Sequence, residues 1–130
     1  MPKQKTILVV EDDDNIREII LKTLEMGKYQ SLVAKNGKEG VEVALEKHPD
    51  LILLDLLMPV MGGMEAFKQI RKDTWGETVP VVILTNLNAT NEDLVEDIVT
   101  LKPAFYLIKS DWRVNTVIQK IEEILAKAKK

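Results

Sequence analysis

Three features of the sequence predict an α/β fold, a parallel sheet sandwiched between two helical layers. Five short apolar runs end abruptly in polar residues, five amphipathic segments alternate with them, and turn residues mark the junctions. Strands joined through helices take right-handed crossovers, which put helices on both faces of the sheet and bury the strands on both sides.

The first strand is expected over Thr6 to Val10, where the run Ile7-Leu8-Val9-Val10 lies between polar residues. From about Asp14 to Met26, Ile16, Ile19, Ile20 and Leu24 recur on one face of a helix, with Asp13 or Asp14 as N-cap and Gly27 as the stop. A second strand, Tyr29 to Ala34, leads to Asn36, an N-cap with Glu39 three positions on, and the helix it starts runs to about Lys47, before Pro49. His48 at that helix end suits the negative pole of the helix dipole. Strand three is Asp50 to Leu54, and a loop through Pro59, Gly62 and Gly63 opens a helix with Met64, Phe67 and Ile70 on one stripe. Strand four is Val79 to Leu84, with Pro80 near its start, where a missing donor does least harm. A polar stretch, Thr85 to Asn91, precedes a fourth helix carrying Leu94, Val95, Ile98 and Val99, which Pro103 ends. Ala104 to Ile108 form strand five, and a fifth helix from about Asp111 to Ala126 repeats Val114, Val117, Ile118, Ile121 and Leu125. Met58, Met61 and Met64 are read as core and loop packing, and Trp75 and Trp112 as packing anchors, with a partner surface as the alternative for Trp112.

At 130 residues the chain has the size of one domain, so a single domain over 1–130 is expected, with no effector domain. The net charge of -3 gives no general field for nucleic acid or anionic lipid. The chain has no cysteine, which excludes disulfides, zinc thiolates and thiol catalysis. Without a signal-like start or an apolar stretch of about 18 residues, a cytoplasmic protein with no membrane or direct nucleic-acid partner is expected.

The chemistry concentrates at the strand ends. Glu11 and Asp12 follow strand one and Asp55 follows strand three. If those strands are neighbours, three carboxylates meet at one edge and repel unless a cation neutralises them. Ligands of an open doubly wound sheet bind outside this carboxyl edge, where Thr85 and Lys109 also fall, after strands four and five. Together these residues make a phosphoryl-transfer set. Magnesium takes hard oxygen ligands from one or two carboxylates and a carbonyl, Asp55 can act as nucleophile, and an ammonium and a hydroxyl can stabilise the transferred oxygens.

The motifs Val9-Val10-Glu11-Asp12-Asp13, Leu53-Leu54-Asp55-Leu56-Leu57-Met58-Pro59, Val82-Ile83-Leu84-Thr85 and Tyr106-Leu107-Ile108-Lys109, in this order, resemble the receiver domain of two-component response regulators, of the single-domain chemotaxis or sporulation type. The resemblance implies a flavodoxin-like (βα)5 sandwich with strand order 2-1-3-4-5. It makes Asp55 the phosphoacceptor, loaded by a histidine kinase or histidine phosphotransfer protein. Mg²⁺ would be held by Asp12, Asp55 and the backbone carbonyl of Leu57, with Glu11 acting through water. Lys109 would hold the acyl phosphate, and Thr85 and Tyr106 would be a switch pair, acting on an output partner through the surface of the fourth helix, strand five and the fifth helix. The active state would be a monomer or a phosphorylation-dependent dimer, and the domain would not be an enzyme beyond assisting its own phosphorylation and dephosphorylation.

The chain departs from the family pattern at a few positions. Ser110 replaces the proline that usually follows the strand-five lysine, and Asn86 replaces a small residue after the threonine. Leu57 and Leu87 occupy positions that tune dephosphorylation in the family, and neither has a donor or acceptor with which to orient water. An aspartyl phosphatase would place a second aspartate where Leu57 stands, and a flavin or nucleotide binder would not put three acids where phosphate must sit. The competing reading is a degenerate receiver that serves as a constitutive protein interaction module without phosphorylation.

Overall fold

The computed structural model describes residues 4–56, 61–85, 100–109 and 112–128. Five parallel strands, β1 Thr6–Val10, β2 Gln30–Ala34, β3 Leu51–Asp55, β4 Val81–Thr85 and β5 Phe105–Ile108, form one sheet in the order β2-β1-β3-β4-β5. The described helices are α1 Asp14–Met26, α2 Gly37–Lys47, α3 Gly63–Lys72, a short 3-10 turn at Trp75–Glu77, and a C-terminal helix, Val114–Ala128. The expected fourth helix lies outside the described residues, as do Leu57, Asn86, Leu87 and Ser110.

Alternation along the strands builds two cores, because successive side chains of a strand point to opposite faces. Leu8, Val10, Ile52, Leu54, Val81 and Ile83 pack with Ala44 of α2 and Phe67 and Ile70 of α3. Ile7, Val9, Leu51, Leu53, Val82 and Leu84 pack with Ile20 and Leu24 of α1 and Val117 and Ile121 of the C-terminal helix. The strands are apolar throughout because both faces are covered.

The expected caps form, with local corrections. Asp13 Oδ1 accepts from Ile16 N at 2.9 Å, and Asn36 Oδ1 accepts from Glu39 N at 2.9 Å. Gly27 ends α1 but has φ -80°, and the left-handed residue is Lys28, at φ 65°. A Cβ at 27 would stand 2.8 Å from the edge of the Tyr29 ring, which would have to move aside. Tyr29 N donates to Leu24 O, so this residue closes the helix and β2 starts at Gln30. β3 starts one residue later than expected because Asp50 turns aside to accept from Thr6 N at 2.8 Å. At its other end the strand includes Asp55 as its last residue. Pro80 stays outside β4, lending only its carbonyl to Ile52 N. The C-terminal helix starts at Val114, with Val117 N donating to Arg113 O. His48 does more than face a dipole: it caps α2 at φ 47° and stacks on Trp75 at 4.5 Å.

α3 approaches the end of β3 so closely that only glycine fits at the contact. A Cβ on Gly63 would lie 2.0 Å from Asp55 O and 2.7 Å from Leu56 Cα, both backbone atoms, and Gly63 N donates to Leu56 O at 2.9 Å. Gly63→Ala is expected to cost about 2 to 4 kcal/mol, since overpacking against fixed backbone cannot relax by rotamer change. Thermal denaturation checks this, and an unchanged melting temperature would mean that α3 can slide outward.

Candidate phosphoryl-acceptor site at the carboxyl edge of the sheet

Register brings the acids together. Val10 of β1 pairs with Leu54 of β3, so the next residues, Glu11 and Asp55, emerge side by side at the carboxyl edge. β4 and β5 follow, with Thr85 opposite Ile108, and Lys109 comes next in the chain. Both carboxylates are buried, Glu11 fully and Asp55 to 4% exposure, while Asp12 is exposed.

Lys109 spans the two buried acids. Its Nζ lies 2.6 Å from Glu11 Oε1 and 3.1 Å from Asp55 Oδ1. Glu11 is held in place by its surroundings: its N donates to Ala34 O, its Oε2 accepts from Asp13 N at 3.2 Å, and Arg17 donates to its carbonyl at 3.0 Å. Arg17 was not among the expected site residues. The only sign of it in the sequence is a basic residue one turn into α1, a common helix-surface choice that carries no such signal. The opposite flank is fixed by Trp112, whose indole Nε1 donates to Thr23 Oγ1 at 3.1 Å, and that hydroxyl donates to Ile19 O at 2.9 Å. This ties the chain just beyond Lys109 to α1, a role the packing-anchor reading of Trp112 lacked.

The electrostatics follow from crowding in a dry place. Burial and the charge of Glu11 push the Asp55 carboxyl up to about 7, against the opposing pull of Lys109. Burial alone would lower Lys109, but its bond to Glu11 and the charge of Asp55 outweigh this and raise it above the usual lysine value. A single ammonium therefore does not fully neutralise the pair.

Carboxylate oxygens of Glu11, Asp12 and Asp55 lie within 4.8 Å of one another, near the span that one small divalent ion bridges. Among the described residues, Glu11 Oε1 has the Lys109 ammonium as its one polar partner. An all-oxygen donor set that is partly open to solvent through Asp12 and has an excess of negative charge fits a hard divalent cation. Tyr106 lies on β5 with 43% exposure, opposite Ile83. Thr85 ends β4, and its side chain lies outside the described part of the structure.

Comparison with known proteins agrees with this arrangement. The profile of the response regulator receiver domain matches residues 7–122. The phosphate regulon transcriptional regulatory protein PhoB of Pseudomonas aeruginosa is 40% identical over 81 residues, 62% of this chain and 35% of that protein. The chain spans between 34% and 51% of the length of five curated relatives that it matches. The receiver domain of the sensor histidine kinase PA1611 from the same species, solved with magnesium coordinated in its active site cleft, has a TM-score of 0.85 at 27% identity, covering 95% of this chain and 99% of that one. A CheY-like receiver domain protein from Methanospirillum hungatei matches in fold with a TM-score of 0.87 at 24% identity, over 98% of both chains. With a parallel sheet in the order 2-1-3-4-5, an acidic edge bridged by lysine and a profile match over most of its length, this chain belongs to the response regulator receiver domain family.

Proposed function

We propose that the chain is a phosphorylation-dependent receiver switch in which Asp55 accepts a phosphoryl group from a histidine kinase or histidine phosphotransfer protein in the presence of Mg²⁺. The observation that carries this reading is the Glu11, Asp55 and Lys109 cluster at the carboxyl edge, too negative without a further cation and placed where an incoming phosphoryl group meets a carboxylate. In the transfer, an Asp55 oxygen forms a bond to phosphorus as the nitrogen–phosphorus bond of the donor histidine breaks. Glu11 and Asp12, with Asp55 and the Leu57 carbonyl, would hold the ion, which neutralises charge developing on the phosphoryl oxygens. Lys109 already touches Asp55 and needs only to turn from Glu11 to bind a phosphoryl oxygen. Glu11 stays fixed by Asp13 N and Arg17, so the cleft keeps its shape as the charge changes.

Phosphorylation would then draw Thr85 and Lys109 toward the new oxygens and bias the surface of β5 and its flanking helices, which an output partner reads. The exposed Tyr106 is one of the described members of that surface.

Incubation with a small-molecule phosphodonor and Mg²⁺, followed by intact mass, should give one phosphoryl adduct that Asp55→Asn abolishes. No adduct on the wild-type chain would leave the constitutive interaction module as the reading. A second measurement addresses the switch: Thr85→Ala should keep the adduct and weaken the phosphorylation-dependent change in Tyr106 fluorescence or amide shifts. Equal loss of both would remove Thr85 from the switch.

A further inference from the structure

A cationic cavity lies at the opposite, amino-terminal edge of the sheet. It has a volume of about 360 Å³ and is lined by the approaches to β4 and β5 and by the last turns of the C-terminal helix. Its positive charge comes from Arg71, Lys102, Lys120 and Lys127, and Glu123 is the one acid in the lining. Glu123 is already paired with Lys120, at 3.2 Å. Among the described residues, Lys102 and Lys127 have no carboxylate partner. In a chain of net charge -3 this is a local inversion of sign.

Arg71 is the centre of the feature. Its Nε donates to Leu101 O at 2.9 Å, one terminal nitrogen to Gly76 O and Val79 O at 2.8 and 2.7 Å, and the other to Lys102 O at 3.3 Å. All four acceptors are neutral carbonyls, so among the described residues the half-buried guanidinium has no counter-ion, and burial pulls its pKa down. Four bonds use four of its five N–H donors and leave one free. The Phe67 ring, its centroid 4.9 Å from the guanidinium carbon, favours the cation in part, but neither the ring nor the carbonyls supply a negative charge to offset what burial costs. The same cage also fixes Lys102, whose backbone is left-handed at φ 55°. One fixed guanidinium and two unpaired ammonium groups around a cavity within the size range of small-ligand sites suit a compact anion with several oxygens.

We propose that this cavity binds a small phosphorylated metabolite through its phosphate groups, at a site separate from the Asp55 edge. Pyrophosphate is the probe. The full chain, in EDTA to keep the acidic edge free of metal and at constant ionic strength set with sodium chloride, is titrated and followed by amide chemical shifts. Saturable shifts are expected at Arg71, Lys102, Phe105 and Glu123, with an apparent dissociation constant below about 1 mM. The double variant Lys102→Glu, Lys127→Glu, which leaves the Arg71 cage intact, should weaken binding at least about tenfold while melting like the wild type, since exposed charges contribute little to stability. Asp55→Asn should bind as tightly as wild type, which separates this site from the phosphoryl-acceptor reading. Shifts that stay linear with concentration, that map to the acidic edge, or that survive the double charge reversal unchanged would overturn the proposal.

Discussion

In metal-free buffer the melting temperature should fall as pH rises from about 5 to 8, by roughly 5 °C or more, and Mg²⁺ should restore it. Asp55 has a folded-state pKa of about 7, above the 3.8 of an unperturbed aspartate. Between those values the folded protein holds a proton that the unfolded chain has released, so stability decreases with rising pH and the full penalty is present above about pH 7. A shift of this size corresponds to about 2 to 4 kcal/mol once the coupling to Lys109 is allowed for. Asp55→Asn should flatten the pH dependence and be more stable than wild type above about pH 7, because burial no longer acts on a charge and Lys109 keeps Glu11 as its partner. Mg²⁺ should stabilise the wild type far more than the variant. A melting temperature that rises with pH across this interval would show that Lys109 keeps both carboxylates ionised without help.

Much of this site was legible in the sequence, and for a definite reason. Apolar runs flanked by polar residues identify the strand ends, and parallel strands end at one edge. The sequence alone therefore brings Glu11 and Asp55 together, and the β1–β3 register does so. Lys109 was placed at the edge, but its simultaneous contact with both acids depends on how β5 and the chain after it are anchored. That anchoring runs through the Trp112–Thr23 hydrogen bond, between residues 89 apart in the sequence. Arg71 was invisible for the same reason. In the sequence it is one of two basic residues in the last turn of α3, a dipole-compatible choice, while its acceptors at Gly76, Val79, Leu101 and Lys102 come from three other segments. Strand boundaries moved where a side chain competed for the backbone, as Asp50 does at the start of β3. Periodicity reports burial but not such exchanges of hydrogen-bond partner.

The phosphoryl group, once on Asp55, should persist for minutes or longer, and Leu57→Asn or Leu57→Glu should shorten its lifetime by at least about tenfold. Hydrolysis needs a water placed in line with the aspartyl–phosphorus bond, and positioning or deprotonating that water is worth about 10² to 10⁴ in rate. The residues at the two family positions that perform this task are Leu57 and Leu87, and neither side chain has a donor or acceptor that can hold a water. Nearby charged groups do not replace them: Lys109 is a donor directed at Glu11 and Asp55, and Glu11 is fully buried and held by Asp13 N. A side-chain substitution at 57 would leave the backbone carbonyl of the proposed ion site unchanged, so lifetime should change with little effect on phosphorylation itself. Asn86 is bulkier than the small residue usual after the threonine, and on the proposed reading it would narrow the approach for donor and water alike. Asn86→Ala should therefore speed both loading and loss, whereas Leu57→Asn should speed loss alone. The decay of the intact-mass adduct after removal of the phosphodonor separates these cases, and loss from the wild type within seconds would show that water reaches and is oriented at Asp55 by some other group.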